Sequence, residues 1–234
     1  NSTPDGMNYS VNYSYNYDKN PIINLSWRDS STGAELYKKR TSGNSSPIFD
    51  HTGVSRATTS IELYASAADA VAGTNRYGAY GAVGGDTAGT PTLRFEQTVK
   101  RAQNIGGSFD TAIETEALGP VVLRGEALYQ KDVYSPVIDL TALSIGDLTD
   151  ALKMEKGDRF KYVLGVDVTA LTNMMVSLQF IQDRNLDYID TSTTIGPYTL
   201  GKYTTDYATM SMSNSFNKAE KDKNFYSLFL SKPF

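Results

Sequence analysis

The single histidine, His51, follows Asp50 and lies near Ser45, Ser46 and Ser55. These residue types could make a Ser-His-Asp hydrolase. Such a triad needs its nucleophile on a rigid, strained turn and an oriented base. No G-x-S-x-G occurs, and the surrounding stretch is rich in Gly, Ser, Asn and Pro, so it reads as a loop. With no cysteine there is no thiolate nucleophile, disulfide or thiolate metal site. One histidine cannot build a multi-histidine metal site. "GAVGGDTAGT" has the glycines of a phosphate loop but neither its lysine nor its strand–helix setting. "DTSTT" and "GGDTAGT" lack the spacing of EF-hand or RTX calcium loops. The expectation is no enzyme, no cofactor and no metal.

A set of charges on strands remains. Arg124 and Glu126 in "LRGE" are two residues apart, so they share one face of a strand. With Arg94, Glu96, Lys100, Asp110, Lys161, Asp167 and Gln179 they form the candidate lining of a solute-selecting lumen. The structural alternative is an ion-pair lattice filling a narrow interior, with Asp110, Glu114, Lys161 and Asp167 as neighbours. In a small barrel the two readings merge, because a filled lumen conducts nothing.

Those charges have to be positioned by strands. In "GMNYSVNYSYNYDKN", Met7, Tyr9, Val11, Tyr13, Tyr15 and Tyr17 fall on one parity and small polar residues on the other. A period of two means an extended strand with two unlike faces. "DKNP" reads as a tight turn into a second strand, Ile23 to Trp27, pairing back on the first. Residues 29–91 read as a long loop, in which "ATTSIELYASAADAVAG" is either strand or helix. From Leu93 to Glu114 one phase persists, giving one long strand or two joined near "RAQN". "VVLRGEALYQ", "RFKYVLGVDVTA" and "MMVSLQFIQDRNLDYI" alternate likewise, with tight turns at "EALGP" and "LTN". Residues 131–158 read as a second long connection with a short helix in "LTALSIGDLTDALK". "TTDYATMSMSNSF" and "NFYSLFLSK" read as a last weak pair.

About eight strands linked by alternating short and long connections are the habit of outer-membrane barrels. The 16 tyrosines, many on apolar parities near strand ends, suit the interfacial girdles of such barrels. The expected fold is all-β: an antiparallel up-and-down transmembrane β-barrel with long extracellular loops. Residues 1–234 would be a single barrel domain or a fragment of a larger one. The lipid face would carry Tyr9, Val11, Tyr13, Phe109, Leu123, Leu164 and Val166, and Asn12 would join the lumen. A net charge of −4 without basic clusters argues against nucleic acid as a partner. No apolar run reaches the roughly 18 residues of a membrane helix. "NSTPDG" has no positive start or apolar segment, which reads as a removed leader or a piece of a longer chain.

"LRFEQTVKRAQNIGGSFDTAI", "LGPVVLRGEALYQKDV" and "KGDRFKYVLGVDVTALTNMMVSLQFIQDRNLDYID" resemble an uncharacterised family of large proteobacterial outer-membrane β-barrel, porin-like proteins. "GGSFDTA", "VVLRGE" and "VLGVDVT" carry the resemblance between Leu93 and Asp190. Phe234 matches the aromatic ending of bacterial barrels, though Lys232 and Pro233 break the expected alternation. The resemblance implies passive passage of small solutes, hydrophobic ones included, in the bacterial outer membrane. Its implied partners are membrane lipid, the solutes, and a homo-oligomer or larger envelope complex. The competing expectation is a soluble or surface-exposed all-β binding or adhesin module without transport.

Overall fold

The computed structural model describes residues 6–18, 20–43, 58–77, 90–170, 173–195, 198–213 and 215–232. Asp50, His51, the serines beside them, most of "GAVGGDTAGT" and Phe234 lie outside the described residues. The strands in chain order are β1 (Asn8–Tyr17), β2 (Ile22–Asp29), β3 (Tyr37–Gly43), β4 (Thr58–Tyr64), β5 (Arg76–Tyr77), β6 (Pro91–Thr98) and β7 (Arg101–Thr115). They continue as β8 (Gly119–Asp139), β9 (Leu152–Ala170), β10 (Met174–Asn185), β11 (Thr193–Ile195), β12 (Tyr198–Leu200), β13 (Lys202–Thr204) and β14 (Asp222–Ser231). Short helices α1 (Ala67–Ala72), α2 (Leu140–Ser144) and α3 (Leu148–Ala151) lie between them. Among the described residues no helix is long and apolar enough to cross a membrane.

The main sheet is antiparallel, in the order β1-β7-β8-β9-β10-β14, with β13 added at the far end of β8. It is open: β1 and β14 are its edges, and no closed barrel forms among the described residues. Short connections gather at one end. The turn Glu116–Leu118 enters β8 through Gly119, whose φ of 69° favours glycine. The Thr115 hydroxyl closes that turn by donating to the Gly119 carbonyl at 2.9 Å. The connection between β9 and β10 includes Asn173, with φ 72°.

The other end carries a cap, where several sequence expectations are corrected. "DKNP" is not a hairpin: β1 pairs with β7 and β2 pairs with β6, so both run on past a joint. There the Asp18 amide donates to the Lys100 carbonyl at 2.8 Å. The long strand from Leu93 accordingly breaks at Val99–Lys100 into β6 and β7. Residues 131–158 are mostly ladder, because β8 runs on to Asp139 and β9 starts at Leu152. A bulge between Gln130 and Val133 shifts the register, and Val133, Val137, Ile138 and Leu152 beyond it are buried. Strand buried on both faces loses its alternation, so it did not read as strand. "TTDYATM" ends in a 3₁₀ turn at Tyr207–Ser211, and β14 pairs with β10 instead. Inside the first long connection lie both a strand, β4, and a helix, α1.

Two hydrophobic clusters hold the cap. Ile23, Ile138, Leu152, Tyr203 and Met210 form one, with Leu140 and Leu143 packed against it. Trp27, Leu36, Leu63 and Tyr77 form the other, joined by Leu93 and Leu148. Each fully buried aliphatic chain here contributes about 1.5–3 kcal/mol. A buried carboxylate ties β3 to α3: Asp147 accepts from Lys38 at 2.6 Å and from the Arg40 Nε at 3.1 Å.

Candidate functional site

Residues facing each other across an antiparallel ladder point to the same side. The registers therefore sort every side chain of the main sheet onto one of two faces. One face carries Tyr9, Val11, Tyr13, Ile105, Phe109, Leu123, Tyr129, Tyr162, Leu164, Val166, Leu178, Phe180, Tyr226 and Leu228. All seven residues expected on an apolar face share it. Many are open: Val11 is 79% exposed, Leu164 51% and Tyr226 81%. An aromatic line crosses it, Phe160 to Tyr162 to Phe180 to Tyr226, with ring centroids 5.2–5.8 Å apart. The Phe109 ring lies directly over Gly125, where a Cβ would collide with it.

The other face is mostly polar, although Leu128, Val163, Ile181, Phe225 and Phe229 share it, and many of its polar groups pair along the rows. Asn8 donates to Asp110 at 2.9 Å, and the Ser10 and Ser108 hydroxyls meet at 2.8 Å. Gln130 donates to Asn104 at 2.9 Å, and Asn104 donates to Asn16 at 3.0 Å. Arg124 bridges to Asp167 at 2.5 Å. Lys161 and Arg159 both reach Asp183, at 3.2 and 3.6 Å. Asn12, Ser108, Glu126, Leu128 and Lys161 line an open hollow of about 470 Å³ on this face, floored by Gly106.

Of the sequence-chosen lining residues, Asp110, Arg124, Glu126, Lys161, Asp167 and Gln179 share this face. Arg94 and Glu96 sit on β6 in the cap, where Glu96 pairs with Arg94 at 3.2 Å and Arg28 at 3.5 Å. Lys100 lies at the joint before β7. Asp183, Arg159, Asn104 and Gln130 are additional members of the face. Asp183 keeps the parity of Gln179 and was legible on that ground. Among the described residues no three His, Asp or Glu side chains are grouped to hold a metal ion.

No family model, curated protein or solved structure matches the chain.

A cleft of about 170 Å³ joins the polar face to the cap, lined by Arg159, Asp183, Asn185, Tyr207 and Lys223 among others. Tyr207 closes part of it by donating to the Pro21 carbonyl at 2.5 Å, and burial pushes its phenol up to about 12. Asp29 is held well below the ordinary carboxylate range. It accepts from the Ser31 hydroxyl, from Tyr77 at 2.6 Å, and from the Thr32 and Ser31 amides. Hydrogen bonds from Lys218 and Ser192 lower Asp190 to about 2. These groups set loop geometry in the cap.

The cap-side limit of the apolar stripe is not level. The row through Tyr226 passes Phe180, Leu164, Gly125 and Phe109 and meets β1 at Tyr9. On β10 and β14 it is the last apolar row, followed by Gln182 with Asn224 and Arg184 with Asp222. On β1 the stripe runs eight residues further, to Tyr17. That is roughly 26 Å of strand gained over five strand spacings, or about 24 Å of sheet. The limit crosses the strands at about 45°, close to the strand tilt of membrane barrels.

Proposed function

We propose that this chain forms wall of an outer-membrane β-barrel that passes small solutes without chemistry. The apolar face meets lipid, the polar face lines the aqueous interior, and the cap covers the outer mouth. The inclined limit of the exposed apolar stripe carries this reading. An apolar face that ends at a water–lipid boundary ends along a line inclined to its strands, because barrel strands tilt by about 35–45°. The stripe height agrees: Val121 to Tyr129 on β8 and Phe160 to Val168 on β9 are each close to the 9–11 residues of a tilted spanning strand. The tight turns at one end and the cap at the other follow the same polarity, and the resemblance noted in the sequence fits it.

On this reading Arg124–Asp167 and Lys161–Asp183 set the field in the interior, with Glu126 over the hollow beside them. The chain refolded with detergent and reconstituted is expected in the membrane fraction, with heat-modifiable migration. A monodisperse detergent-free monomer overturns the reading in favour of a soluble all-β binding module.

A further inference from the structure

At the cap-side limit of the apolar face, two cations stand without a carboxylate. Arg101 pairs across the ladder with Tyr17, and Gln103 pairs with both Tyr15 and Lys131. Arg101 and Lys131 are thus diagonal neighbours on adjacent strands of one face, close enough for long side chains to meet at one ligand. Both are exposed, and among the described residues neither makes an ion pair. The Arg101 guanidinium is 5.4 Å from the Tyr15 ring centroid and 4.9 Å from that of Tyr17. Ring contact holds the guanidinium in place and leaves its charge in full. Two other cations near this level are neutralised, Arg184 by Asp222 at 3.1 Å and Lys156 by Asp132 at 2.9 Å, whereas Lys100 beside Arg101 adds to the exposed charge. Directly below lie Ile105 and Tyr129, the first apolar row on β7 and β8, with the Tyr129 hydroxyl donating to Asp158.

We propose that Arg101 and Lys131 bind the phosphate of an anionic membrane lipid whose acyl chains lie on the apolar face beneath them. The site rests on the membrane reading above. A guanidinium forks onto phosphate oxygens, an ammonium adds a point charge, and cations at a membrane boundary favour anionic headgroups. A lipid is chosen over free phosphate because the apolar wall continues straight down from the two cations.

The chain is reconstituted in phosphatidylcholine vesicles containing spin-labelled phosphatidic acid or spin-labelled phosphatidylcholine. The motion-restricted fraction of each probe is then measured. The expected preference for phosphatidic acid is on the order of tenfold. It falls towards onefold in Arg101→Gln/Lys131→Gln and is unchanged in Lys153→Gln on the cap. The restricted phosphatidylcholine fraction, equal in all three proteins, shows that the variants are folded and inserted. An undiminished preference in the double variant overturns the site, as does its abolition by millimolar inorganic phosphate. Equal restriction of both probes by the unaltered chain overturns the site alone. No restricted component with either probe overturns the membrane reading and the site together.

Discussion

The cap and the main sheet treat apolar side chains in opposite ways. In the cap, Leu63, Ile138, Leu152 and Met210 are almost wholly enclosed, and the buried carboxylates Asp29 and Asp147 are both partnered. In the sheet, Val11, Leu164, Leu178 and Tyr226 stand open on a face that no described residue covers, while the opposite face carries hydrogen bonds and ion pairs. The cap obeys the rule of proteins in water. The sheet departs from that rule on one face, which is what the proposed contact with lipid would require.

The contrast can be broken most sharply at Asp147. Its carboxylate is fully buried between Lys38 and Arg40. Asp147→Ala removes charge-assisted hydrogen bonds from Lys38 and Arg40, which keep Asp150 at 2.7 and 2.8 Å, and with them the side-chain cap of α3, and is expected to cost the cap about 2–4 kcal/mol. Urea-dependent proteolysis of β3 and α3 should detect it, while heat-modifiable migration of the sheet stays unchanged. Leu164→Arg probes the sheet instead: about 2–4 kcal/mol is lost in a bilayer if the apolar face is lipid-facing. Since Leu164 is 51% exposed, the same change costs next to nothing if that face meets water, and unfolding titrations in vesicles separate the two. Gly125→Ala drives a methyl into the Phe109 ring. On an uncovered face the ring can swing aside, so a loss of about 1 kcal/mol is expected, read by the same titration. The smallest effect is at Asp190 in the cap. Its folded value of about 2 lies below the ordinary value near 3.9 of an unfolded chain. Its stabilisation is full above that ordinary value and is lost as pH falls towards 2. Hydrogen exchange at Thr191 and Ser192 should rise only over that acid interval.

How legible each region was follows from the same contrast. Parity alone placed Tyr9, Phe109, Leu123 and Leu164 on one face, because a sheet with unlike surroundings on its two sides must alternate. It also placed Arg124, Glu126, Lys161 and Asp167 opposite them. Parity says nothing about which strand lies next door, so the β1–β7 pairing and the Lys161–Asp183 bridge stayed hidden. It also fades where both faces are buried, which is why Val133 to Ile138 read as a loop. Arg94 and Glu96 kept the right phase but stand past the joint at Lys100, on a ribbon with other partners.

The edges of the sheet have a consequence for the order of assembly. Among the described residues β1 and β14 are ten-residue strands with one ladder partner each, so each presents about ten outward N–H and C=O groups. In hydrocarbon every such group costs several kcal/mol until it is paired, a sum larger than the whole stability of an ordinary domain. On the proposed membrane reading, entry into the bilayer and pairing of those margins form one cooperative event. A half-closed intermediate would have to be held by a chaperoning edge, and the cap, whose core needs no lipid, is free to fold before that event takes place.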